Sequence, residues 1–190
     1  MMIEWLIYID KQLFLALNEL NAPWLDPIMV FISGKLEWVP LYGFLLYLLI
    51  KQYRWQSLYF LIGIAITILL SDQLTSGFMK PFFARPRPSH DLEISQLVHI
   101  VNDYRGGKYG FASSHAANTF AVATYFFLLL RKHFPAIIWI FAWCTLVSYS
   151  RIYLGVHYPG DIIVGAMIGT SFAALVYAGL EKLRVVRRML

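Results

Sequence analysis

The chain has 190 residues and a net charge of +5; 59% of its residues are hydrophobic, 17% aromatic and only 14% charged, for a mean hydropathy of +0.59. A water-soluble domain carries about 25% charged residues, so this surface cannot face water all round. The positive balance does not indicate a nucleic-acid partner, because the bases are divided between membrane-flanking loops and one site rather than gathered in a stripe, and the single Cys144 excludes an intramolecular disulfide.

In chain order, no basic segment precedes an apolar stretch at the N-terminus, so no cleaved signal peptide is expected. Residues 3–20 interleave Trp5, Leu6, Ile9 and Phe14 with Glu4, Asp10, Lys11 and Glu19. That amphipathic pattern predicts a helix lying on the membrane interface rather than crossing it. A turn at 21–27 and a short interfacial helix at 28–32 follow. Apolar runs near 20 residues read as spanning helices, and five spans are predicted: 36–50, 57–79, 114–130, 134–150 and 159–180. The fold class is therefore an all-α membrane bundle forming a single domain over 1–190. Interfacial helices occupy 1–34, the transmembrane core 36–184, and an outer loop 81–113 lies over the span ends.

Basic residues set the expected orientation. Lys51, Arg54, Arg131, Lys132, Lys182, Arg184, Arg187 and Arg188 fall on one side of a five-span bundle, with Glu181 as that side's one acid. The positive-inside rule makes that side cytoplasmic. The N-terminus and the 81–113 loop then face outward, and the C-terminus is cytoplasmic, in what would be a bacterial inner membrane.

Three polar segments stand at span ends. Lys80 and Arg87-Pro88 follow the second span, Ala112-Ser113-Ser114-His115 opens the third, and Ser150-Arg151 closes the fourth. His157 and Asp161 flank the start of the fifth, which Pro159 marks as a helix N-terminus. An up-and-down bundle gathers all of these on its outer face. Charged groups at a membrane edge are costly unless they act together. A carboxylate that holds one ring nitrogen of a histidine frees the other as a base or nucleophile. Three cations suit a phosphate and the charge of its transition state, a helix N-terminus adds backbone donors, and a second histidine can protonate a leaving oxygen.

These segments resemble the motifs of the type 2 phosphatidic acid phosphatase superfamily, which includes vanadium haloperoxidases and glucose-6-phosphatase. Lys80 and Arg87-Pro88 match its first motif, Lys, six residues, Arg-Pro. Ser150-Arg151, His157 and Asp161 match its third, Ser-Arg, five residues, His, three residues, Asp. The second motif, Pro-Ser-Gly-His, is here Ala112-Ser113-Ser114-His115, so a side chain stands where glycine would let phosphate approach the backbone. The likeness runs from about residue 24 to 180, and most of the family has one more span. It implies an acid phosphatase/haloperoxidase-like core in which His157 is the nucleophile, forming a phosphohistidine, Asp161 orients it, and His115 is the general acid. Lys80, Arg87 and Arg151 would bind phosphate, helped by the Ser113 and Ser114 amides, with no metal and no cofactor.

The resemblance implies a membrane lipid phosphate as substrate, with the lipid bilayer as the other partner. Arg85, Arg105 and Lys108 in the outer loop could hold a second phosphate, which makes undecaprenyl pyrophosphate the leading expectation, ahead of phosphatidylglycerophosphate, phosphatidic acid and lipid A phosphate. A vanadate-dependent oxidant and a non-catalytic lipid-binding or transport protein are the rival classes. Asp72, within the second span, is expected to be buried and structurally hydrogen-bonded. His90, His99 and His133 are expected to be bystanders, and Gly165 and Gly169 to permit close helix packing.

Overall fold

The computed structural model of the chain describes residues 1–183, so Arg184, Arg187, Arg188 and the C-terminus lie outside the described residues. The regular structure of the described residues is helical, apart from one isolated β-bridge between Pro86 and Tyr109 in the irregular outer loop. Helix α1 (Met2–Asn18) and α2 (Asp26–Ser33) precede α3 (Val39–Tyr53) and α4 (Ser57–Asp72). A π-helical turn (Gln73–Met79) joins α4 to the short α5 (Lys80–Phe83). After the outer loop come α6 (Ser114–Leu130), α7 (Ile140–Tyr153) and α8 (Pro159–Lys182).

Among the described residues, three helical stretches are long and apolar enough to cross a membrane: Leu36–Phe83, Pro135–Tyr153 and Pro159–Lys182. The first combines the two spans expected at 36–50 and 57–79 into one 48-residue stretch, broken at Arg54, whose φ of 51° and ψ of −131° no helix accommodates. The shorter apolar α6 is the centre of the bundle and packs against α4, α7 and α8. Its Ala116, Ala117, Ala121, Ala123 and Tyr125 are completely buried. Large apolar side chains face outward instead on α3, α4 and α8, among them Phe44, Ile62, Leu69, Met167 and Leu175. In water such a belt would be costly; in a bilayer it meets acyl chains.

The tight α6–α8 seam depends on two glycines. A Cβ at Gly165 or Gly169 would collide with the backbone carbonyls of Ser113 and Ala117, so the pair closes the bundle, as the small-residue spacing predicts. The fourth predicted span ends three residues late. Helix α7 runs on to Tyr153, up to the turn where Gly155 takes a φ of 70°, so Arg151 projects from helical backbone. The second predicted span is interrupted by the π turn, where Thr75 Oγ1 donates back to the Ser71 carbonyl at 2.8 Å. Such back-bonding bends helices, and π turns often sit beside functional groups.

Candidate active site

Lys80, Arg87, Ser114, His115 and Arg151 line one cavity of about 800 Å³. Each comes from a different local device. The π turn brings Ser76 and Lys80 to face α6, where Lys80 Nζ donates to Ser114 Oγ at 2.6 Å and Ser76 Oγ lies 3.0 Å from the same oxygen. Pro86 and Pro88 bracket Arg87, whose N–H donates to the Lys108 carbonyl at 3.0 Å and whose Nε donates to the Tyr109 carbonyl at 3.1 Å. Arg151 donates from Nη1 to Ser33 Oγ and from Nη2 to the Tyr104 hydroxyl at 3.4 Å.

Both guanidinium groups are buried, and each keeps an N–H without a partner among the described residues: Nη1 of Arg87 and Nε of Arg151. Buried donors of this kind are rare, and each asks for an explanation. Burial and the neighbouring Arg151 charge push the Arg87 guanidinium below its ordinary range. Two buried cations with spare donors, lining the same cavity as Lys80, are an arrangement able to hold a compact, highly charged anion.

His157 and Asp161 sit beside this cluster. His157 Nδ1 lies 3.3 Å from Asp161 Oδ2, and Asp161, with no exposure, also accepts from the Tyr158 N–H at 3.1 Å. Gly110 presses the outer loop onto the pair; a Cβ there would come within 3.0 Å of Asp161 Oδ2. His157 is 1% exposed and lines neither of the two cavities found at this end of the bundle, whereas His115 lines both.

Burial pushes the His157 imidazolium well below its ordinary range, and Arg87, Arg151, Lys80 and Arg85 add to the shift. The ring is therefore neutral, and able to act as a nucleophile, into acid solution. For a base required unprotonated, a lowered pKa moves the acid limb of kcat/KM downward. That limb should lie below the ordinary imidazole value of about 6.5; a limb at or above it in the purified protein would contradict this assignment.

Several expectations change. Arg85 does not face a second phosphate: it donates to Asp161 Oδ1 at 3.0 Å and to Asp10 Oδ2 at 2.8 Å, and its guanidinium stacks 4.0 Å from the Tyr158 ring centroid. Asp10 also accepts from the Gly160 N–H at 2.7 Å, so α1 braces the start of α8. The Ser113 amide is not available to phosphate, because it donates to the Asp161 carbonyl at 2.9 Å while its Oγ caps α6 by accepting from Ala116. Ser114 meets Lys80 through its hydroxyl. Arg105 donates to the Ser89 carbonyl at 3.0 Å and braces the outer loop; Lys108 is exposed and lies over the Tyr109 ring.

Asp72 is half-buried rather than enclosed. It faces the same cavity as Lys80 and accepts from Asn118 at 3.4 Å, with Ser76 Oγ at 3.3 Å. His99 pairs with Asp26 at 2.9 Å, and His90 and His133 make single polar contacts with Gly106 and Gln52. Tyr104, Lys35, Ser76 and Asn118 line the main cavity without any sequence signal of their own. For Tyr104, burial opposes ionisation, but the Arg151 hydrogen bond and the Arg151, Arg87 and Lys35 charges outweigh it and hold the phenol below its usual value. Among the described residues no group of His, Cys, Asp and Glu is arranged to hold a metal.

A membrane-embedded helical bundle that concentrates three cations beside a carboxylate-held histidine, at the ends of its apolar helices, is built to act on the phosphate of a lipid. The family model of the PAP2 superfamily matches residues 56–184, and the chain belongs to that superfamily. It is 44% identical to a lipid A 4'-phosphatase of Bacteroides thetaiotaomicron over 96% of this chain and 81% of that one. It is 40% identical to a lipid A 4'-phosphatase of Porphyromonas gingivalis over 92% and 74%. An undecaprenyl-diphosphatase of Sulfolobus acidocaldarius is 29% identical over 95% and 84%. The crystal structure of a PAP2-type phosphatidylglycerolphosphate phosphatase from Bacillus subtilis superposes with a TM-score of 0.68 at 25% identity, covering 93% of this chain and 87% of that one. The chain is an integral membrane lipid phosphatase.

Proposed function

We propose that this phosphatase removes a phosphate monoester from a glycolipid of the lipid A class. The observation that carries the reading is the 44% identity, over nearly the whole chain, to a protein bearing the lipid A 4'-phosphatase name; the undecaprenyl-diphosphatase relative stands well below, at 29%. The undecaprenyl pyrophosphate expectation has also lost part of its support, since Arg85 is engaged by Asp10 and Asp161.

In this reading Arg87, Arg151 and Lys80 draw in the phosphate. Nε2 of His157 attacks phosphorus as the bond to the lipid oxygen breaks, and His115 delivers a proton to that oxygen. Asp161 holds Nδ1 and stabilises the cationic phosphoimidazole. Water, deprotonated by His115, then attacks the phosphohistidine, releasing inorganic phosphate and restoring both rings. His157 is buried and lines neither cavity, so in this reading the site rearranges around the incoming phosphate before Nε2 reaches phosphorus. The site faces outward from the bacterial inner membrane in this scheme, with the basic loops cytoplasmic.

The test is phosphate release by purified protein in detergent from lipid A, phosphatidic acid, phosphatidylglycerophosphate and undecaprenyl pyrophosphate, each with and without chelator. Lipid A should give the highest kcat/KM. Activity should persist in chelator, since Lys80, Arg87 and Arg151 supply the charge that a metal would bring. A preference of about tenfold, roughly 1.4 kcal/mol, for undecaprenyl pyrophosphate would replace the glycolipid reading. Rescue of a chelator-inactivated enzyme by Mg²⁺ would replace the metal-free mechanism.

A further inference from the structure

The space around His115 is forked. One arm is the larger cavity, which runs from the cations down between apolar side chains of α3, α4 and α6, including Leu45, Leu61, Ile64, Val122 and Phe126. The other is a separate cavity of about 430 Å³. Its walls are the end of α2, the α2–α3 connection, the outer loop and the facing ends of α6 and α7, and beside His115 and Arg151 its polar groups are Ser33, Lys35, Asn102 and Tyr104 among Val30, Val101 and Leu154; Ser33 and Asn102 line this cavity alone. The two cavities share Gly34, Lys35, Tyr104, His115 and Arg151.

A forked site has a chemical meaning. In phosphatidic acid or an isoprenoid phosphate, the ester oxygen leads straight into a hydrocarbon arm, and one apolar cleft beside the general acid is enough. In a glycolipid phosphate the ester oxygen sits on a sugar ring, and the acyl chains branch from other carbons of the headgroup. Such a leaving group needs a mixed polar and apolar pocket at the general acid and a separate apolar path for its chains. The smaller cavity has that character, and its volume exceeds a single sugar ring.

We propose that the cavity formed by Lys35, Asn102 and Tyr104 is a sugar subsite, which receives the ring carrying the scissile phosphate while its acyl chains lie along the larger cavity.

Lys35 and Asn102 are exposed at its rim, where an ammonium and an amide can reach ring hydroxyls or an amide oxygen. Asn102 is not on a slack loop. It is the first central residue of a turn closed by the Tyr104 N–H donating to the Val101 carbonyl at 3.0 Å. Asn102 and Asp103 both have positive φ, 53° and 54°, a conformation that Asn and Asp tolerate better than most residues. Val101 anchors the turn in the core. Tyr104 is fixed from the other side by Arg151, so phosphate binding and ring binding meet on one side chain. A rigid polar rim discriminates between leaving groups because its groups lose water without compensation when the partner hydroxyl is missing.

This inference rests on the glycolipid reading, and the experiment separates the two. Wild type, Lys35→Gln, Asn102→Gly and the double variant are assayed in detergent micelles on lipid A phosphate and on phosphatidic acid. Asn102→Gly keeps the positive φ and removes only the amide. The ratio of kcat/KM for the glycolipid to that for phosphatidic acid should fall about tenfold or more in the double variant. A ratio within about twofold of wild type overturns the sugar subsite while leaving the glycolipid reading intact. A parallel fall on both lipids overturns it too, by assigning Lys35 to the phosphate itself. A wild type that releases no phosphate from lipid A sinks the functional reading and takes this inference with it.

Discussion

His157→Ala should release phosphate from no lipid in the panel while extracting and eluting like wild type. The loss follows from covalent chemistry: without the imidazole there is no atom to accept the phosphoryl group, and a drop of at least about 10⁴-fold is the expected scale for removing a nucleophile from a working ensemble. The fold should survive, because His157 packs at the turn before α8 while the α6–α8 seam is held elsewhere, at Gly165 and Gly169. Asp161→Asn should cost several orders of magnitude, since an amide can hold Nδ1 but cannot balance the charge on a phosphoimidazole. His115→Ala should cost less, roughly 10²–10⁴ with a lipid alcohol, and least with a leaving group such as p-nitrophenolate that departs without a proton. Rapid quench in base with labelled substrate should trap phosphate on His157 in wild type and none in His157→Ala. Label retained in the variant, or full turnover without His157, would refute covalent catalysis at this residue.

The motifs made the chemistry legible because each falls at a helix end that the sequence itself marks. Ser113 caps α6 and Pro159 opens α8, so the positions of His115, His157 and Asp161 follow from local signals. What escaped was everything that depends on which way a side chain turns after packing. Arg85 reads as one more loop cation, yet it meets Asp10, which is 75 residues away. The amphipathic pattern of α1 shows which face is apolar but not that a carboxylate on the helix contacts Gly160, 150 residues further on. The Ser113 amide belongs to a motif that suggests phosphate binding, but the close α6–α8 approach presents it with the Asp161 carbonyl first. Asp72 reads as mid-span and enclosed because hydropathy cannot register a π turn that carries Ser76 and Lys80 round to the same cavity.

Arg85→Ala should lower kcat by about 10²-fold or more and leave KM near its wild-type value. Asp161 is completely buried, and Arg85 is the side-chain cation that pairs with it. Removing one member of a buried ion pair costs about 3–5 kcal/mol because the other is left uncompensated. Arg85 retains 22% exposure, so part of that is recovered by water. What reaches the reaction is a carboxylate less firmly held against His157, an effect on the chemical step rather than on binding. Asp10→Asn should show a smaller fall in kcat, about tenfold: the amide oxygen can still accept the Gly160 N–H, but the ion pair that aims Arg85 is gone. Arg85→Lys should recover only part of the activity, since an ammonium keeps the charge without the planar fork that spans Asp10 and Asp161 together. Michaelis parameters for the three variants on lipid A and on undecaprenyl pyrophosphate decide the matter. If Arg85→Ala instead raises KM for the pyrophosphate alone and leaves kcat untouched, the guanidinium swings out to hold a second phosphate, and the strut between α1 and Asp161 is not what governs turnover.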